Sequence, residues 1–175
     1  MAFSASRQLF SAWTNRAIVY SHTGDPCKVL TSLRYPPLPT PAPNTVNIQF
    51  ILAPINPADL NVIEGSYPLK PSQDASLAPY RRGSRDHPVI VAGNEGLAQV
   101  TDVGSGVHAL EKHDWVVMAR QQIGTWCTNK NVAVPDVMKI PRAQGLSKVH
   151  GATMTASTTR CNFITLLTST PLGSR

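Results

Sequence analysis

At 175 residues the chain has room for one domain and little more, and its 42% hydrophobic content is too high for a disordered polymer. Charged residues make up only 15%, beside 15 prolines and 11 glycines, which suits short strands and turns better than a helical bundle. No apolar run approaches the roughly 20 residues of a membrane helix, and the net charge of +6 is scattered apart from Arg81, Arg82 and Arg85, around which no nucleic-acid-binding module is recognisable.

In chain order, residues 1–15 contain no Asp or Glu and carry Ser4, Ser6, Ser11 and Arg7 beside Leu9, Phe10 and Trp13. Such an acid-free, weakly amphipathic start reads as a mitochondrial presequence or a disordered tail. Residues 17–20 form a short β-prone run, Thr23-Gly24-Asp25-Pro26 is a turn, and 28–33 reads as a second strand. Pro36, Pro37, Pro39, Pro41 and Pro43 then impose an extended connector. Residues 44–53 alternate with period two, as a strand with one buried face does. Further strands are expected at 89–92, 97–103 and 115–118, with weaker candidates at 125–127, 132–134 and 137–140. Short strands with frequent turns predict a closed or nearly closed β-barrel.

The most informative stretch runs from Ile55 to Pro68. Asn56 is a good N-cap, Pro57 loses nothing at the first helical position, and Asp59 meets the positive end of the helix. Leu60 and Ile63 share a face, and Gly65 can adopt the left-handed conformation that ends a helix. The result is a two-turn helix that delivers Tyr67 at its exit. A phenol, with an ordinary pKa of about 10, stays protonated at neutral pH and can give its proton to a carbanion or enolate.

Cys27, Cys127 and Cys161 are odd in number and widely spaced, which argues against a disulfide scaffold or a zinc ribbon and suits a reducing compartment. Gly104-Ser105-Gly106-Val107-His108-Ala109 fits a dinucleotide fingerprint, but Trp115-Val116-Val117 follows too soon for the helix that the fingerprint must open. It reads as a turn between strands.

Gly93-Asn94-Glu95-Gly96, the Val103-Gly104-Ser105-Gly106-Val107 turn and Asp114-Trp115-Val116 follow one another as in medium-chain dehydrogenases/reductases. Residues 16–155 resemble the catalytic domain of that superfamily, which implies a mainly β, GroES-like (chaperonin-10-like), partly open barrel with short helices. Zinc members carry Cys and His where this chain has Asn56 and Asn94, and neutral amides are poor zinc ligands. No metal is therefore expected.

The order Ile55-Asn56-Pro57-Ala58-Asp59, Gly65-Ser66-Tyr67, Gly93-Asn94-Glu95-Gly96 and Gly124-Thr125-Trp126 resembles, more narrowly, the mitochondrial 2-enoyl thioester reductases. That resemblance implies NADPH-dependent reduction of an enoyl-CoA or enoyl-ACP in mitochondrial fatty acid synthesis, in the mitochondrial matrix. It makes Tyr67 the proton donor and places Trp126 at the substrate cleft.

Family members carry a Rossmann cofactor domain that is not found here. Ser157 stands where they have a cofactor-contacting Asn, and 156–175 diverges. The expectation is a short form, inactive alone, that lacks the NADPH-binding domain. Its rivals are a non-enzymatic GroES-like module or dead isoform pairing with a full-length reductase subunit, and a zinc-free quinone-reductase-like protein.

Overall fold

The period-two stretch becomes the central strand of the larger of two antiparallel sheets. In the computed structural model, which describes residues 14–68, 70–81, 89–140 and 147–152, it is β3 (Thr45–Leu52). The presequence-like residues 1–13, Arg82, Arg85 and everything after Ala152, Ser157 included, lie outside the described residues. Numbering the other strands in chain order, β1 is Asn15–Tyr20, β2 Thr31–Tyr35, β4 Ile90–Val91, β5 Leu97–Val103, β6 Trp115–Met118, β7 Asn129–Ala133 and β8 Val137–Ile140.

β3 lies between β5 and β7 in a sheet of order β7-β3-β5-β6-β8, and Val46, Ile48, Val100, Val116 and Val132 pack together inside it. Its register with β5 shifts twice, between Asn47 and Ile48 and between Phe50 and Leu52, which bends the strand. The smaller sheet, β2-β1-β4, buries Ala17, Val19, Leu33 and Tyr35.

Residues 126–128 stitch the two sheets into the partly open barrel expected from the sequence. Trp126 N–H donates to the Ala92 carbonyl at 2.9 Å and Thr128 N–H to that of Arg16 at 2.8 Å. In return, Ile18 N–H reaches the Trp126 carbonyl at 2.9 Å and Phe50 N–H that of Thr128 at 3.0 Å. The strip serves both sheets at once, so the strand expected at 125–127 is reduced to an isolated bridge between Ala17 and Cys127.

The strand expected at 28–33 also differs. Asp25 accepts a hydrogen bond from Cys27 N–H at 3.0 Å and, with Pro26 behind it, starts a one-turn helix, α1 (Pro26–Val29). β2 therefore begins only at Thr31. The glycine-rich 104–109 segment is a turn between β5 and β6, as its short run predicts. No helix among the described residues is long and apolar enough to cross a membrane.

Lys130 on β7 reaches Asp74 at 2.6 Å, both side chains largely buried, and pins the 71–81 loop to the barrel. Burial pushes the Asp74 carboxyl up, but the Lys130 charge and hydrogen bonds from Lys130 and Ser76 outweigh it and leave it lowered. A carboxyl lowered on folding contributes stability above its unfolded pKa of about 4, and that stability is lost as pH falls through the lower folded value. Urea unfolding followed from about pH 6 down to about pH 3 should show this acid limb, and Asp74→Asn should flatten it.

Candidate active site

Asn56, Pro57 and Gly65 bound a helix, α2 (Pro57–Glu64), as the sequence indicates. Gly65 takes φ +87°, and the Asn61 carbonyl collects the N–H groups of Gly65, Ser66 and Tyr67 at 2.9–3.1 Å. The exit loop carrying Tyr67 is thus tied to the last turn of α2. Asp59, Val62 and Ile63 form the buried face of the helix, while Leu60 is 39% exposed.

Asp59, only 2% exposed, is the hub of this end of the barrel. Its Oδ2 accepts the Asn56 backbone N–H at 2.7 Å, closing the first turn of α2. Its Oδ1 accepts both the backbone N–H and the side-chain Nδ2 of Asn94, at 2.9 and 2.8 Å. Asn94 in turn offers Oδ1 to Gln122 N–H at 3.1 Å. Asn56 Nδ2 donates to Glu95 Oε2 at 3.0 Å. Glu95 is raised from the usual carboxylate range, first by burial and then by the neighbouring Asp59 charge, against the Asn56 hydrogen bond.

The two amides that occupy the zinc-ligand positions of zinc-bearing relatives are therefore engaged with carboxyl groups and backbone. Their neutral donor chemistry does not fit such an ion.

Tyr67 is half-exposed, and its hydroxyl donates to Gln121 Oε1 at 3.3 Å. Gln121 precedes the Gln122 that Asn94 holds, so the acceptor facing the phenol is positioned from Asp59. Nothing in the sequence pattern signalled Gln121, because the loop fold alone brings it across to Tyr67.

Trp126 lines an open cleft of about 590 Å³. Ile18 and Ser32 form one wall of it, and Phe50, Leu52, Ala53 and Ile55 the other. The indole Nε1–H donates to the Pro54 carbonyl at 3.0 Å. Gly93, at φ +92°, makes room for the ring, since a Cβ there would stand 2.4 Å from Trp126 Cδ1. Cys127 also lines the cleft, its thiol pushed up to about 11 by burial, which keeps it protonated.

Tyr67 is not part of the cleft lining. It sits at the far end of the 121–126 strip, which spans at most about 18 Å when fully extended. No strand–glycine-loop–helix unit for a dinucleotide occurs among the described residues.

This barrel defines a class. The chain belongs to the alcohol dehydrogenase GroES-like domain family, which matches residues 42–163. Within it, the chain is 37% identical over 126 residues to the mitochondrial enoyl-[acyl-carrier-protein] reductase of Bos taurus, covering 72% of this chain and 30% of that protein. It superimposes on the mitochondrial 2-enoyl thioester reductase Etr1p/Etr2p heterodimer of Candida tropicalis with a TM-score of 0.70 at 35% identity, over 79% of this chain and 39% of that one. A structure named as the Etr1p/NADP/crotonyl-CoA complex gives a TM-score of 0.71 at 34% identity, with the same coverage. The chain thus spans about a third to two fifths of the length of these relatives.

Thr125 precedes Trp126 and is fully buried, its hydroxyl without a hydrogen-bond partner among the described residues. A buried, unpartnered hydroxyl costs on the order of 1–3 kcal/mol. Replacing it with a methyl of the same shape, Thr125→Val, should raise the unfolding free energy by about 1 kcal/mol, measurable in urea titrations.

Proposed function

We propose that this chain is the GroES-like catalytic part of a mitochondrial 2-enoyl thioester reductase, with Tyr67 as the acid that protonates the substrate. The observation carrying this reading is the placement of Tyr67 at the exit of α2: its backbone N–H is tied to the Asn61 carbonyl, and its exposed hydroxyl donates to Gln121 Oε1. The names of the relatives support the substrate class, NADP as cofactor and the mitochondrial location. The acid-free residues 1–15 accord with that location, and the heterodimeric neighbour supports a second reductase subunit as partner.

The nicotinamide cofactor supplies the hydride when bound to the whole protein, and the described residues, lacking a nucleotide-binding unit, are given no part in holding it. Their part is the proton. An enolate of the thioester takes the proton at its α-carbon from the phenol: the Tyr67 O–H bond breaks, the C–H bond forms, and solvent restores the proton to the phenolate. Gln121 Oε1 accepts from the hydroxyl and so fixes the rotation of the O–H bond before transfer. Trp126, locked by Pro54 and Gly93, forms a rigid wall that limits where the thioester can lie.

Joined to the remainder of the Candida tropicalis enzyme, this chain should reduce crotonyl-CoA with NADPH. Tyr67→Phe should then lower kcat by roughly 10²–10⁴-fold with KM nearly unchanged, and leave reduction of a simple quinone intact. Wild-type turnover of crotonyl-CoA by the Phe variant would remove Tyr67 from the chemistry.

A further inference from the structure

Arg16 and Arg34 stand directly opposite each other in the antiparallel β1–β2 pair. Both are exposed, and neither has an acidic partner among the described residues. Like charges in register across a ladder repel, so the pair is unfavourable unless an anion sits between them. The next pair on the same outer face, Ile18 and Ser32, lines the cleft, and so does Arg16 itself. Among the described residues no acidic side chain lines that cleft, while Phe50, Leu52, Ile55 and Trp126 make it apolar. Ile55 is 72% exposed and Leu52 40%, so the mouth is apolar as well. The feature is thus an apolar channel with Arg16 in its lining and Arg34 opposite Arg16 on the neighbouring strand, neither paired with an acidic group among the described residues. The channel meets the 121–126 strip that leads to Tyr67.

We infer that Arg16 and Arg34 hold the phosphate of a phosphopantetheine arm whose apolar pantoyl stretch lies in the adjoining cleft, with the thioester end directed toward Tyr67. This deepens the reductase reading and rests on it: coenzyme A and acyl-carrier protein, which appear in the names of the relatives, both present their acyl group on this arm. The chemistry matches at each point. A phosphodiester suits paired guanidinium donors, and the gem-dimethyl carbons suit Phe50, Leu52 and Trp126.

The experiment is a calorimetric titration of the purified chain with 4′-phosphopantetheine and with pantetheine, the same arm without the phosphate. Exposed charge pairs contribute modestly, so phosphopantetheine should bind about five- to tenfold more tightly, with the preference shrinking as salt is raised. Arg16→Gln with Arg34→Gln should erase the preference without moving the thermal transition downward, and Arg→Lys at both should restore part of it. Equal binding of the two probes, no binding of either, or a preference untouched by the double variant would each overturn the assignment.

Coenzyme A and holo acyl-carrier protein should lose affinity alike in the double variant. A loss confined to the carrier protein would mean that the arginines read its acidic surface, and a loss confined to coenzyme A would mean that they read its nucleotide phosphates; either overturns the phosphopantetheine site. Tyr67→Phe should keep the phosphate preference, so a failure of the catalytic reading and a failure of this one give different results.

Discussion

Asp59 is buried with no cationic partner among the described residues, and its two oxygens are met by N–H groups alone: one from Asn56 and two from Asn94. A buried acidic group in that position is tolerable because both its oxygens are satisfied, two of the three donors being backbone N–H groups. The dependence runs both ways. α2 starts where it does because Asp59 captures the Asn56 N–H, and the loop after β4 folds over the helix because Asn94 is held twice. The 119–124 loop then takes its path because Asn94 Oδ1 is free to accept Gln122 N–H. Hydrogen bonds to a charged group contribute about 1.5–3 kcal/mol each and are lost together. Three segments distant in sequence therefore behave as one unit at the mouth of the barrel.

The same end of the molecule explains why Asn at 56 and 94 is compatible with this fold. The scaffold needs something to tie α2 to the loop after β4. Here Asn56 reaches Glu95 and Asn94 reaches Asp59, so two side-chain amides supply the cross-link. An amide has both a donor and an acceptor end. Asn94 gives its donors to Asp59 and its acceptor to the next loop, a relay that needs both ends of an amide.

Much of this was legible in the sequence, for local reasons. Asn56-Pro57 and Gly65 start and stop a helix by their own backbone chemistry, so α2 could be read almost to the residue. The alternation of 44–53 identified β3, since its partners on both sides demand one buried face. Residues 28–33 misled because β-prone side chains were weighed above the Asp25-Pro26 cap, which closes a helical turn first. Spacing puts Leu60 and Ile63 on one face, but with Asp59 drawn into the interior Ile63 is buried and Leu60 stays at its edge. Gln121 could not have been found, because only the fold of its loop brings it to Tyr67. Arg16 and Arg34 are 18 positions apart and meet only through the register of β1 and β2.

The two ends of the candidate site are held by different means. At the Tyr67 end, position is set by hydrogen bonds that descend from one buried acid, so geometry there is sensitive to a single side chain. At the Trp126 end it is set by close packing: the indole fills the space left by Gly93, its N–H is fixed on Pro54, and the backbone around it belongs to both sheets. Packing of this kind gives little when pressed. A ligand lying along the 121–126 strip would meet a close-packed apolar wall at one end and a hydrogen-bonded phenol at the other. Packing suits a surface that only has to place a ligand, and a hydroxyl held by a single hydrogen-bond acceptor keeps its O–H aimed in one direction.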